Sequence, residues 1–158
     1  MAGIIQNAPR WIFASTGKHF DSLKQTLNLY IEGQHRATRE EKDFAELRVD
    51  GPHLTELSKG YWRFYSEINI LVQSAMDDSD YHRIWRDIGI INSAFTNFIV
   101  YKYGDGSDDD SSQLGCMRLM HDARRKEKTQ TSYFGKIAPS VEIHQATIEG
   151  HYEMFLTI

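Results

Sequence analysis

The chain has 158 residues, 41% hydrophobic and 25% charged, a length and balance that fit one domain around one core and exclude a disordered chain. Its formal net charge is −4 at pH 7, which argues against a general phosphate-binding surface. Apolar runs such as Ile68 to Val72 fall far short of the about 20 residues that a membrane-spanning helix needs, so a soluble domain without membrane contact is expected.

Met1 to Pro9 shows no period and reads as an N-terminal arm. From Arg10 to Ile31, Phe20, Leu23, Leu27 and Tyr30 recur at three- and four-residue spacing, predicting one helix. Gly17 is placed to break or kink it near its start and Gly33 to stop it. His35 to Lys42 is charged and apolar-poor, a loop. Ala45, Leu47 and Val49 then alternate with Glu46 and Arg48, predicting a strand that ends at Asp50-Gly51-Pro52.

Tyr61 to Gln73 gives the strongest strand pattern. Trp62, Phe64, Ile68, Ile70 and Val72 lie on one face, with Arg63, Tyr65, Glu67, Asn69 and Gln73 on the other. Its length predicts a crossing of the whole sheet and a protruding hairpin. Asp77-Asp78-Ser79-Asp80 suits a helix N-terminus. Tyr81, Ile84, Trp85, Ile88, Ile91, Phe95 and Phe98 then predict a long amphipathic helix, with Trp85 packed on the sheet beside Ile68, Ile70 and Leu156.

Val100 to Tyr103 predicts a short strand, and Gly104 to Ser112 a mobile acidic loop carrying Asp105, Asp108, Asp109 and Asp110. Leu114 to His121 and Thr129 to Phe134 predict two strands forming a hairpin across a charged run, and Pro139-Ser140 a turn. From Ala146 the residues Ile148, Tyr152, Met154, Leu156 and Ile158 alternate with polar ones, predicting a long strand paired inside the sheet. The fold class is therefore α+β: one domain, a mostly antiparallel sheet covered by two helices, with a protruding hairpin or loops.

No motif in this pattern carries recognisable catalysis, and no enzymatic activity, cofactor or metal is expected. A calcium loop counted from Asp108 would place Gln113 at its sixth position and Leu119 at its twelfth, where glycine and glutamate are needed. The histidines include no i, i+4 helical pair of the kind that builds a zinc site. Cys116, the sole cysteine, alternates with Leu114 and Arg118 and reads as a small buried residue. With no partner for an internal disulfide, it points to a reducing, intracellular origin. The strongest basic patch, Arg124, Arg125 and Lys126 with Glu127 and Lys128, has no interleaved aromatic and reads as a protein-contact surface rather than a nucleic-acid site.

The order of elements resembles the tail terminator (tail completion) proteins of long-tailed bacteriophages. Three stretches carry the resemblance: the helix around Phe20-Leu23-Leu27, the strand-to-helix unit from Glu67 through Asp80 to Phe98, and the final strand from Thr147 to Ile158. Val49-Asp50-Gly51-Pro52 and Val100-Tyr101-Lys102-Tyr103-Gly104 also look like turns of such virion proteins. The resemblance implies a structural subunit of a homo-oligomeric ring, a hexamer, in the tail or neck of a virion assembled in the host cytoplasm. Its implied partners are the tail tube protein and a head–tail connector or stopper protein, with DNA passing through without specific binding. Neck, stopper and head-completion proteins are neighbouring readings. From a different class, a small ligand-binding or enzymatic α+β domain stands as the alternative.

Overall fold

The computed structural model describes residues 2–32, 43–76, 80–103, 112–121, 128–138 and 141–158. In chain order they form helix α1 (Ala2–Phe20), a 3-10 helix (Asp21–Gln25), strands β1 (Leu29–Ile31), β2 (Phe44–Ser58) and β3 (Tyr61–Ala75), and helix α2 (Arg83–Ala94). Strands β4 (Phe98–Tyr101), β5 (Gln113–Leu119), β6 (Thr129–Ala138) and β7 (Val141–Thr157) follow. The architecture is α+β, with a curled, mostly antiparallel sheet of seven strands and two α-helices.

The first helix begins where an arm was expected. Ala8, Ile12 and Phe20 recur every four or eight residues and are all buried, with Ser15 and Thr16 between them, so this stripe drives the segment onto the core. Pro9 lies inside the helix on an exposed position; its missing N–H removes one helical hydrogen bond, which the buried flanking turns outweigh. Gly17 does not break α1. A Cβ there would stand 3.2 Å from Ile31 Cδ1, so glycine instead lets the helix approach β1 closely. The expected helix to Ile31 stops at Phe20, and Leu29–Ile31 pairs in parallel with Ala45–Leu47.

Strand β2 does not end at Asp50-Gly51-Pro52. The register with β3 slips between Asp50 and His53, Gly51 takes a positive φ of 108°, and the ladder resumes as far as Ser58. One irregular step thus absorbs the turn chemistry that reads locally as a strand end. Along β3 the predicted alternation holds: Phe64, Ile68, Ile70 and Val72 are buried, while Arg63, Tyr65, Glu67, Asn69 and Gln73 are half-buried on the opposite face.

Strand β7 pairs with β3 without interruption from Ile143 with Ala75 to Thr157 with Tyr61. The last strand is therefore central, as its apolar alternation predicts. Its other edge is shared. Val141 to Gly150 pairs with β6, whereas Tyr152 and Glu153 pair with β5, whose far side carries β4. The expected hairpin of Leu114 to Phe134 is not formed, because β5 and β6 each take a different stretch of β7 instead of each other. Gly150 marks the branch. A Cβ there would stand 2.6 Å from a ring carbon of the buried Phe95, so only glycine admits that ring beneath the strand.

Helix α2 buries Ile84, Asp87, Ile88 and Ile91 and contacts β3 and β7. Two expectations fail here. The helix stops at Ala94, so Phe95 and Phe98 reach the core from a loop and from β4. Trp85 is 52% exposed and lies against Tyr133 of β6 with ring centroids 4.8 Å apart. One residue on a helix is a rotation of about 100°, and the buried stripe runs through Ile84 rather than Trp85. Of the expected N-terminal acidic cluster, Asp77 to Ser79 lies outside the described residues; His82 occupies the cap without a side-chain cap bond, and Asp80 pairs with Arg86 at 3.2 Å.

Helix α1 is tied down by polar contacts. Trp11 Nε1 donates to the Tyr103 carbonyl at 2.8 Å, the Tyr101 amide donates to Ser15 Oγ at 3.1 Å, and His19 Nε2 lies 2.9 Å from the Ala94 carbonyl. Burial lowers the His19 pKa, and its contact with that carbonyl only partly opposes the effect.

Candidate functional site

The polar face of the sheet gathers a cross-strand set of titratable side chains. Period-two alternation turns Arg48 and Asp50 of β2, Arg63, Tyr65, Glu67 and Asn69 of β3, and Glu149, His151 and Glu153 of β7 away from the core. Register then sets their neighbours. Asp50, Glu67 and His151 stand in one row across three strands, and Arg48, Asn69 and Glu149 in the next.

Glu67, Glu149 and His151 each offer a donor atom, all within 4.8 Å of one another. His151 Nε2 lies 3.0 Å from Glu149 Oε1, and His151 Nδ1 is hydrogen-bonded to the Tyr65 hydroxyl. The two rings stack with centroids 5.8 Å apart. Arg63 closes one side: its Nε donates to Glu153 Oε2 at 3.0 Å and its guanidinium sits 5.1 Å from the Tyr65 ring centre. On the other side a cavity of about 310 Å³ is lined by Glu32, Arg48, Val49, Asp50, Glu67 and Asn69.

The electrostatics follow from this crowding. The Glu67 carboxyl has a raised proton affinity, first because it hydrogen-bonds the Glu149 carboxyl, then through burial and the Glu149 charge; His151 pulls the other way. Tyr65 is held in its neutral form, chiefly by burial and then by the Glu67 charge, with Arg63 opposing. Two carboxyls at hydrogen-bond distance coexist by sharing a proton or by sharing a cation.

The residues singled out from sequence are elsewhere. Arg124, Arg125, Lys126 and Glu127, and Asp105, Asp108, Asp109 and Asp110, lie outside the described residues. Lys128 is exposed just before β6, next to Thr129, whose hydroxyl donates to Asn92 Oδ1 of α2 at 2.7 Å. Cys116 is half-buried on β5 and lines a cleft of about 340 Å³ with Arg118, Glu153, Met154 and Phe155. Sequence reading missed the Glu67–Glu149–His151 set. Glu149 and His151 do alternate on one strand face, but the strand placed opposite them is set by tertiary pairing.

A second feature is apolar. Among the described residues β6 pairs only with β7, and it exposes Phe134 and also Tyr133, whose ring lies against Trp85. On the far side of the sheet β1 covers β2 only from Ala45 to Leu47, and no described strand pairs with that edge from Asp50 to Ser58. No protein-family model and no curated protein compared with the chain matches it.

Proposed function

We propose that this chain is a structural subunit that closes into a ring of identical copies, and that the ring caps the head-proximal end of a phage tail tube and joins it to the head. The observation that carries the assembly reading is the pair of unlike strand edges, β6 at one side of the sheet and the outer edge of β2 at the other. A head-to-tail ring needs two different complementary surfaces on each subunit, and strand edges provide backbone donors and acceptors for a neighbour. The exposed ring pair of Trp85 and Tyr133, with Phe134 also exposed on β6, supplies apolar area of the kind that anchors interfaces. In this reading the two helices cover one face of the sheet and leave the edges for neighbours. The tail position, the hexameric number and the tube and connector partners rest on the resemblance in element order.

Light scattering on the purified chain, alone and with tail tube protein, tests the reading. The expected result is a ring-sized species that Tyr133→Asp with Phe134→Lys converts to monomer while the far-UV spectrum stays native. A chain that remains monomeric at high concentration and with tube protein present overturns it. Within a virion, removal of the protein is expected to leave tails that fail to join heads; infectious particles with tails of normal length would end the tail assignment.

A further inference from the structure

We infer that Glu67, Glu149 and His151 form a binding site for one divalent metal ion that accepts mixed carboxylate and imidazole ligands, with Zn²⁺ a good match and Mn²⁺ a weaker one. Geometry carries the inference. Metal–ligand bonds of about 2.0–2.2 Å place neighbouring donor atoms about 3–4 Å apart. The three donors already lie within 4.8 Å of each other, a difference that rotation of the terminal carboxyl torsions closes. The residues that present them are not on a loop. Glu67 and His151 are direct partners in the uninterrupted β3–β7 ladder, and Glu149 is two residues along the same face, so the backbone already fixes the set.

The histidine is also oriented for the task. Its Nδ1 is engaged by the Tyr65 hydroxyl, which leaves Nε2 facing Glu149. A ligating imidazole commonly has its second nitrogen held by an outer partner that fixes ring angle and tautomer. On metal binding the proton sits on Nδ1 and is donated to the Tyr65 oxygen, while the Nε2 lone pair meets the ion. Charge balances as well: two carboxylates and a neutral imidazole offset a 2+ ion. Asp50 occupies the same cross-strand row as Glu67 and His151, and the adjoining cavity that Glu67 lines gives space for solvent in the open coordination positions. Ca²⁺ fits less well, because it takes about 6–8 oxygen ligands and gains little from imidazole.

The inference is independent of ring assembly, since its residues lie on the sheet face and not on the β6 edge. It is tested on the full chain, stripped with chelator and dialysed, by calorimetric titration with ZnCl₂ and with MnCl₂, and by thermal melting with each ion. The expected result is one Zn²⁺ per chain, a raised melting temperature, and weaker Mn²⁺ binding. Tyr65→Phe should loosen binding by about tenfold to a hundredfold, as removal of an outer partner does. The double variant Glu67→Gln with Glu149→Gln keeps side-chain volume, relieves the carboxyl crowding and is expected to fold while losing the site. His151→Gln should do the same, and if it fails to fold the double variant decides. No saturable binding at millimolar metal overturns the proposal, and so does binding that the folded double variant retains unchanged, because other surface histidines would then be the ligands.

Discussion

Asp87 is a carboxyl on the buried face of α2, 7% exposed, accepting a 2.7 Å hydrogen bond from Ser74 Oγ. Burial raises its pKa above the ordinary 3.8, while Ser74, Arg83 and Arg86 oppose the shift and Asp43 adds to it. A carboxyl whose pKa is higher in the folded than in the unfolded state favours folding fully below 3.8, and that contribution is lost as pH rises through the folded value. Asp87→Asn removes this titration and keeps an oxygen for Ser74. The variant is expected to melt higher than the parent near neutral pH, with the gap closing by about pH 3; a lower melting temperature near neutral pH would contradict this reading. Gly150 makes a second residue-scale prediction. Adding a methyl forces Phe95, 4% exposed, from its seat, so Gly150→Ala should lose about 1–3 kcal/mol in denaturant titration. Phe95→Leu in that background should restore part of the loss, because it vacates the space the methyl needs.

At the scale of elements, Trp85 reports on the face that α2 turns to solvent. With half its surface exposed and its ring against Tyr133 rather than in the core, Trp85→Ala should change monomer stability by less than about 1 kcal/mol. A loss of the size seen for a core aromatic, about 3–5 kcal/mol, would mean that α2 is rotated. Strands β3 and β7 were legible because each alternates apolar and polar residues along a full sheet crossing, and period two admits one reading. The ends of the helices were not. Phe95 and Phe98 extend the helical spacing of α2 although the chain leaves the helix at Ala94, with neither glycine nor proline to mark the stop. At α1 the opposite happened: the stretch up to Pro9 shows no period and reads as an arm, yet Ala8 and Ile12 hold the helix on the core. Strand β1, three residues long and parallel, has too few positions to show a period. The metal-ligand set was half visible, as Glu149 and His151 on one strand face, but its third member comes from register. Pairing of residues 67 and 151 is a property of the closed sheet, not of any local window.

The whole molecule is organised around β7, which touches β3 along one edge and both β6 and β5 along the other. Its ladder with β3 closes loops of 68 residues or more, from the 75–143 pair outward to 61–157. Such long closures are entropically expensive until several contacts form together. Refolding from denaturant is expected to be slow for a domain of this size, with relaxation in the millisecond to second range, measurable by stopped-flow fluorescence of the tryptophans. The core position of Ala146, Ile148, Tyr152 and Met154 gives a sharper test: a chain stopped after residue 140 should show no cooperative melting transition.

The same arrangement has a consequence for synthesis. Because the central strand β7 follows β2 to β6 in chain order, the β2–β3 hairpin and the β4–β5 pair leave the ribosome as two pieces with nothing yet between them. The free edges of β3, β5 and β6 wait, unmatched, for β7. During that interval nascent copies on one message carry the same vacancy for the same missing strand. A neighbour's finished β7 could fill it, so expression at low temperature or with a holding chaperone should raise the yield of correctly closed subunits.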